Sequence, residues 1–435
     1  MNRLFRVFLI LSVIGFPFVH RVHQAFAENR LLTLGEALRL ALAHSPDALT
    51  AKSRTRQAEE ALRETRSLNM PRATIGSGMA YNNGFPLSIE GSAPSIFKLE
   101  AIQPLFSIQN KNLIRGAGES AKAARKDGDI VDNELAAKTA HAYFRLDRAR
   151  KIMSMNESIL DETQKRQELT DIDVAAGKTR PIDAALLNTE ISAARHEVLR
   201  AREQVIIAEA ELRELTGLDY AVSIQTITPA MESPIYDMDA AALFERTAAA
   251  SPDIMRAEAE IRAKEFNVEA EKAERYPRIA AIAEYDMFSR SNNFEDYYNR
   301  FERNGYLVGI SAQLQLFDGF RSKARIAQSR EELSAEQINL RRLKSDLNMN
   351  IQNGLSAIRL ARSEADVAAD RLKAAKGMVE INEILLESGR ISEREMVDAR
   401  LDVWRKEIGK LEAEYGIFQR KIDLLRVTGS ILTIF

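Results

Sequence analysis

Residues 389–429 read GRISEREMVDARLDVWRKEIGKLEAEYGIFQRKIDLLRVTG. Between the two glycines the apolar side chains fall at Val397, Leu401, Trp404, Ile408, Leu411, Tyr415, Phe418, Ile422 and Leu425, at spacings that alternate four and three without a slip. That is the a/d seam of a coiled coil. A helix of 3.6-residue period drifts visibly off such a seam over four heptads, so an ordinary amphipathic helix does not fit. Residues 177–217, GKTRPIDAALLNTEISAARHEVLRAREQVIIAEAELRELTG, carry a second seam of smaller volume: Leu187, Ile191, Ala194, Val198, Ala201, Val205, Ala208, Leu212 and Leu215. The segment before the first-quoted stretch, from Phe320 to Ser388, is dominated by good helix formers, with Ile326, Leu333, Leu340 and Leu347 at seven-residue intervals. No proline interrupts the chain between Leu105 and Arg180, or after Pro277. A helix of about 65 residues is about 100 Å long. No core of this chain's size buries such a rod, so it must pack on other long helices.

The two stretches belong to a repeat. Ser45-Pro46-Asp47 recurs as Ser251-Pro252-Asp253, Pro71-Arg72 as Pro277-Arg278, Leu105-Phe106 as Leu316-Phe317, Gly177 as Gly389, and Leu215-Thr216-Gly217 as Val427-Thr428-Gly429. The order is kept and the offset drifts only from 206 to 212 residues. A large unit occurring twice is a duplicated fold, not a solenoid. The predicted organisation is a first repeat over 28–217 and a second over 240–435, joined by a linker at 218–239. Each repeat reads as short helices, two extended segments and a long helical hairpin. The strands are expected at about 73–82 and 95–105, then at 278–288 and 305–317; the hairpins at about 107–216 and 319–428.

The extended segments alternate. Tyr306, Val308, Ile310, Ala312 and Leu314 share one face, against Leu307, Gly309, Ser311, Gln313 and Gln315; Ile279, Ala281, Ala283, Tyr285 and Met287 oppose Ala280, Ile282, Glu284 and Asp286. In the first repeat Ile75, Ser77, Met79 and Tyr81 share a face, and Phe97, Leu99 and Ala101 alternate with Lys98 and Glu100. About ten residues is the length of a tilted membrane-spanning strand. The loops differ: Asn82–Pro94 is rich in Gly, Ser and Pro, while Ser289–Gly305 carries the candidate interface aromatics Phe294, Tyr297, Tyr298 and Phe301. A soluble sandwich needs a second sheet, which the chain lacks. Four strands cannot close a barrel, and lipid tolerates no open edge. Three chains would supply twelve strands. The fold class is therefore mainly α with a membrane β-barrel part.

Composition agrees. The 435 residues hold 45% apolar and 29% charged side chains and no cysteine, which excludes disulfides, cysteine-ligated metals and a lipidated N-terminal cysteine. Residues 1–27 read as a secretory signal peptide: Arg3 and Arg6, an apolar run from Val7 to Val19, then Ala25-Phe26-Ala27. Without them 58 basic residues face 63 acidic ones, a charge of −5, and no nucleic-acid footprint remains.

In this order the motifs resemble the TolC family of outer-membrane efflux and secretion channels. The resemblance runs from about Leu34 to Leu425. It rests on Leu34-Gly35-Glu36-Ala37-Leu38, the two Ser-Pro-Asp motifs, Pro71 and Pro277 before the strands, Leu316-Phe317-Asp318-Gly319, and the turns at Gly177 and Gly389. It implies a homotrimer with a twelve-stranded barrel in outer-membrane lipid and a twelve-helix periplasmic tunnel. It also implies a periplasmic adaptor and an inner-membrane pump as partners, in a tripartite efflux or type I secretion system. The competing reading is a soluble periplasmic coiled-coil adaptor or scaffold; such proteins lack paired strands with aromatic faces and carry a lipoyl-like domain that is missing here.

No catalytic, cofactor-binding or metal-ligating constellation emerges. His44, His141 and His196 read as surface residues, and no HExxH, GxSxG or phosphate loop occurs. The chain reads as a non-enzyme. The charged group of interest is acidic: Glu395, Asp398 and Asp402 lie at i, i+3 and i+7 on one helical face, with Asp183 and Glu190 in the first repeat. The resemblance places acidic rings of the periplasmic entrance here, so Asp183, Glu395, Asp398 and Asp402 are candidate pore-constriction residues. Close carboxylates favour cations and raise one another's pKa. Glu395 has two readings, because Ser392-Glu393-Arg394-Glu395 is also a capping box; Asp398 lies a turn deeper than a cap reaches. The family's tip lock pairs a tyrosine and an arginine with an aspartate. Asp183 matches the aspartate, but the other two positions are Leu386 and Ile391, which leaves the tip to other pairs. Gly177, Lys178, Thr179, Arg180, Gly389, Arg390 and Ile391 are the implied adaptor-contact tips.

Overall fold

A computed structural model describes residues 29–78, 95–288 and 304–434. The expected signal peptide, the loop 82–94 and the aromatics between 289 and 303 lie outside the described residues. Each repeat follows one plan. Strand β1 (Asn29–Leu32) precedes α1 (Leu34–His44) and α2 (Pro46–Arg66). Then come β2 (Arg72–Gly76), β3 (Ser95–Phe106), α3 (Ile108–Ala175) and α4 (Pro181–Thr216). After β4 (Ser223–Thr226) the plan repeats as α5 (Ala240–Ala250), α6 (Pro252–Lys272), β5 (Arg278–Phe288), β6 (Asn304–Gln313), α7 (Arg321–Glu387) and α8 (Glu393–Thr428), with a final turn α9 (Ile431–Ile434).

The repeated motifs are punctuation. Ser45 ends α1 and caps α2, its hydroxyl accepting from Asp47 N–H, with Pro46 at the first helical position; Ser251 and Pro252 do the same for α6. Helices α3 and α7 run 68 and 67 residues, about 100 Å each at ~1.5 Å per residue. α4 and α8 fold back on them as 36-residue partners. The seams face inward: Leu187, Ile191, Val205 and Leu212 on α4, and Val397, Leu401, Tyr415, Ile422 and Leu425 on α8, are buried. Helix α3 packs on α2, α4, α6 and α8, so the repeats interleave around it.

The four longer strands form an antiparallel sheet in the order β2-β3-β5-β6. The pairings Leu99↔Tyr285↔Tyr306 and Ala101↔Ala283↔Val308 put the aromatic and aliphatic side chains on one face. The opposite face carries Thr74, Lys98, Glu100, Glu284 and Asp286, with Lys98 and Glu284 ion-paired at 2.8 Å. The apolar face is bare: Ile75, Tyr306, Val308 and Ile310 are each more than two-thirds exposed. One edge of β2 and one edge of β6 have no hydrogen-bonded strand among the described residues. β6 ends at Gln313, short of the expected 317, because its ladder partner ends at Arg278 and Pro277 has no N–H to offer.

The main core sits midway along the helices. A parallel pair, β1 with β4, was not anticipated; it ties the segment before α1 to the linker. Tyr143 on α3 anchors both, its hydroxyl 2.8 Å from Leu32 O and from Ile227 O and accepting from Ile227 N–H at 2.9 Å. One turn on, the buried Asp147 carboxylate accepts from Thr226 at 2.9 Å, from Thr228 at 2.5 Å and from Tyr415 of α8, and meets Lys151 at 3.2 Å. These bonds hold the Asp147 carboxyl below its usual range against the opposing effect of burial, the largest single influence. Burial pushes the Tyr143 phenol up to about 12.

Candidate functional site

Both hairpin tips are built the same way. α3 stops where Gly177 takes φ +70°, and Lys178 and Gly177 N–H donate to Asp173 and Val174 carbonyls at 2.8 and 3.0 Å. α7 stops at Gly389, φ +67°, with Arg390 and Gly389 donating to Leu385 and Leu386 at 2.8 and 2.9 Å. This is the Schellman closure, which a β-carbon at the glycine would strain. Lys178, Arg180 and Arg390 stand exposed, while Thr179 and Ile391 are half-buried. Pro181 then opens α4, and Ser392 opens α8.

The four acidic candidates end up in different settings. Glu395 closes the capping box: its carboxylate accepts from Ser392 N–H at 2.8 Å, and Ser392 Oγ accepts from Glu395 N–H at 3.3 Å. The backbone bond holds its pKa below the usual carboxylate range. Asp183 is held low chiefly by Arg180, bonded at 2.9 and 3.2 Å. Asp402 pairs with Lys406 at 3.5 Å along its own helix. Asp398 alone among the four bonds across hairpins. It lies 2.9 Å from Arg166 of α3, whose other nitrogen meets Glu190 of α4 at 2.7 Å. The Arg166 Nε–H is not aligned on Asp398, so this contact is a charge attraction and not a good hydrogen bond. Burial nevertheless pushes the Asp398 pKa up, with Arg166 only partly offsetting it. Leu386 and Ile391 form no polar lock.

Arg166 is the residue that sequence reading passed over. A signal was available. Near the tip the inner face of α3 is polar: Thr163 and Thr170 are almost fully buried, Arg166 lies between them at a/d spacing, and both threonine hydroxyls bond back to carbonyls one turn earlier. A seam that turns from Ala, Leu and Phe to Thr-Arg-Thr marks a place where packing gives way to charge. The histidines also need one correction. His141 is not a free surface residue; it is partly buried and lies 3.1 Å from Asp423, bridging α3 to α8. His44 and His196 are exposed.

Among the described residues no cluster of His, Asp and Glu could hold a metal ion. No described helix is long and apolar enough to cross a membrane. The polar groups in the site hold helices together and line a surface; none aligns a nucleophile with a base.

Known proteins share this architecture. The chain is 22% identical over 334 residues, 75% of its own length and 70% of the relative's, to the outer membrane efflux protein BepC of Brucella suis biovar 1 (strain 1330). The fold matches the Campylobacter jejuni CmeC outer membrane channel with a TM-score of 0.75 at 16% identity, covering 91% of this chain and 85% of that one. It matches the outer membrane protein VceC of Vibrio cholerae with a TM-score of 0.74 at 16% identity, covering 91% and 96%. The sequence pattern of the outer membrane efflux proteins matches residues 37–218 and 243–430, one match for each repeat. The chain belongs to the outer membrane efflux protein family.

Proposed function

We propose that three copies assemble into one closed barrel in the outer membrane and one helical tunnel beneath it, docked through an adaptor to an inner-membrane pump. The protein is an outer-membrane exit duct and not a soluble adaptor. The observation that carries the trimer is the sheet: four strands, one bare apolar face, one charged face and, among the described residues, two unpaired edges. Edges of this kind are satisfied by closure, and three sheets supply twelve strands. The apolar face then meets lipid, and Lys98, Glu100, Glu284 and Asp286 line the lumen. The helices support the same count. α4 exposes Ile182, Leu186, Leu199 and Ile206, and α7 exposes Leu360, Val367, Met378 and Ile384; these are the outer helices of the order α4-α3-α8-α7 and would meet between neighbouring copies.

The duct does no chemistry. Its tip is a constriction of carboxylates from Asp183, Glu395, Asp398 and Asp402, held shut by Arg166 between Glu190 and Asp398. The turns at Gly177–Arg180 and Gly389–Ile391 present the adaptor surface. Membrane fractionation, then light scattering of the detergent-extracted protein, tests the assembly. A protein mass three times that of the mature chain, found in outer membranes, is expected. A monomer in the soluble periplasmic fraction would end this reading.

A further inference from the structure

The two hairpins correspond residue by residue. Gly177 and Gly389, both at positive φ, follow α3 and α7, and α4 and α8 each run 36 residues, from Pro181 and from Glu393. A position in the first hairpin therefore has its counterpart 212 residues later. Burial obeys the rule: Leu135, Tyr143, Leu146 and Ala149 of α3 are buried, and so are Leu347, Leu355, Ile358 and Ala361 of α7. Below the core, α3 packs on both α4 and α8, whereas α7 packs chiefly on α8. What α7 lacks is the counterpart of a second-hairpin helix, which is α4 of another copy. The sheet has the same gap. β3 is paired with β5 as far as Phe106, while β6 stops at Gln313, short of the matching Phe317; the missing partner is a neighbour's β2, the counterpart of β5.

The α3–α8 contacts, moved by 212 positions, give the residues that meet across this gap. Asp147 bonded to Tyr415 becomes Arg359 facing Glu203 of the next copy, opposite charges at one level. His141 beside Asp423 becomes Asn353 facing Glu211, a donor against an acceptor. Glu134 with Arg426 becomes Asp346 facing Glu214, two acids, so the seam should be weakest there. At the tip the chemistry changes. Arg166 against Asp398 becomes Met378 against Leu186. One turn nearer the tip, the antiparallel register brings Ile381 to the level of Ile182. All four apolar side chains are more than half exposed in the single chain. We propose that the contact between copies repeats the contact between repeats, and that at the tip it is an apolar latch, with Met378 and Ile381 of one copy on Leu186 and Ile182 of the next. The inference rests on the trimer reading. It gives the closed tip three charged seams within copies and three apolar seams between them. Parting an apolar seam exposes its side chains to water, whereas water replaces a half-exposed ion pair at little cost. The tip therefore opens along the seams inside each copy, and α7 travels with α4 of its neighbour.

The chain has no cysteine, so introduced thiols report one contact each. Met378→Cys with Leu186→Cys, joined by a short reducible bis-methanethiosulfonate linker, should run as a covalent trimer in denaturing gels. A link within one chain is out of reach, because α4 and α7 lie at opposite ends of the order α4-α3-α8-α7. Ile381→Cys with Ile182→Cys is the second pair if the first fails to assemble. Each single variant should stay monomeric on the gel; a dimer from Met378→Cys alone would mean that α7 meets α7, and would overturn the inference. Trimers that light scattering detects but that neither pair links would overturn it while leaving the duct standing. A monomer by light scattering would refute the duct reading itself, and the inference with it. In planar bilayers, linked Met378→Cys/Leu186→Cys channels in an Arg166→Ala background should open as often as reduced ones. Linked Arg166→Cys/Asp398→Cys channels should stay shut and open several-fold more often on reduction. A 378–186 link that holds the channel shut would show that the seam between copies is the one that parts, and would overturn the proposal.

Discussion

Replacing Arg166 with alanine should loosen the periplasmic tip far more than removing its acidic partner does. Arg166 is only 22% exposed, and it meets Glu190 at 2.7 Å and Asp398 at 2.9 Å. At ~4 Å between charges and an effective dielectric of ~20, each pair is worth ~4 kcal/mol before desolvation. Glu190 and Asp398 are 51% and 44% exposed, so most of that is screened and about 1 kcal/mol per pair survives. Only the Asp398 pair crosses between hairpins, since Glu190 sits on α4 of Arg166's own hairpin, so about 1 kcal/mol per protomer, and about 3 kcal/mol for three protomers, acts against opening. Two observations then pull in opposite directions. The geometry makes Asp398 a favourable partner, yet its pKa is raised, chiefly by burial. We give the burial more weight, because the Arg166 Nε–H is misaligned. The Asp398 charge is therefore costly to hold in the closed tip, and Arg166 makes it tolerable. Arg166→Ala should raise the open probability of single channels in planar bilayers, more at low salt than at high salt. Asp398→Asn should leave the tip as closed as before, or tighter, while reducing cation selectivity. The double variant should regain most of the closure. An Arg166→Ala channel that opens no more often at any ionic strength would refute the reasoning, as would an Asp398→Asn channel that opens more than Arg166→Ala.

Other outcomes follow from the same geometry. Asp147→Ala leaves Thr226, Thr228, Tyr415 and Lys151 without their shared acceptor, which should cost about 3–5 kcal/mol per protomer and lower the trimer's melting temperature; an unchanged melt would count against the node. Because the folded pKa of Asp147 lies below the ordinary aspartate value of 3.8, its contribution is complete above that pH and fades as pH falls through the folded value. Heat resistance attributable to Asp147 should therefore be flat from about pH 7 to about pH 5, and a loss already at about pH 6 would contradict the assignment. Gly217 combines φ +70° with a β-carbon position 2.9 Å from His44 Cβ, so Gly217→Ala should destabilise by more than the ~1–2 kcal/mol of the backbone conformation alone; circular dichroism melts of Gly217→Ala and Gly217→Ala/His44→Ala separate the two costs. At Gly389 an added β-carbon meets open space. Its φ of +67° strains any β-carbon there all the same, so the cleaner perturbation is the exposed Arg390 beside it: Arg390→Glu should leave trimers intact while abolishing efflux of a fluorescent substrate, and full efflux would argue against docking at the tips.

The long helices were legible because a heptad is a one-dimensional property. Any residue of α8 reports its own side of the helix through its neighbours three and four positions away, and the glycines that bracket α4 and α8 set their ends. The capping box at Ser392 and the prolines at 46, 181 and 252 were legible for the same local reason. The β1–β4 pair was not. Two four-residue strands in parallel, separated by almost 200 positions, leave no period to read. The buried bonds at Asp147 were hidden too, since a lone aspartate on a long helix looks solvated until Thr226, Thr228 and Tyr415 arrive from distant segments. Arg166 fell between these cases. Its neighbours announced a polar seam, but only folding brought Glu190 and Asp398 to it.

The distribution of buried contacts along α3 sets the end proposed as a gate apart from the middle of the rod. Between residues 135 and 149 α3 buries Leu135, Ala136, Ala140, Tyr143, Phe144 and Leu146, together with Asp147 and its four bonds. Opening there would expose large apolar side chains, each worth about 1.5–3 kcal/mol, and would strip a carboxylate of its donors. Beyond residue 160 the buried side chains of α3 are Thr163 and Thr170, and one tie from it to the second hairpin near the tip is the half-exposed charge contact at Arg166. Local stability follows such contacts, and segments that move are drawn from the weakly held end. A tip that must part for cargo and reseal needs ties that water can replace at little cost. Ion pairs with half-exposed acids meet that requirement, whereas a seam of leucine and tyrosine, as at the level of Tyr415, does not. On the proposed duct reading, the same polarity that makes the tip separable would place the carboxylates of Asp183, Asp398 and Glu395 at the entrance, so that weak closure and a cation preference would arise from one set of residues.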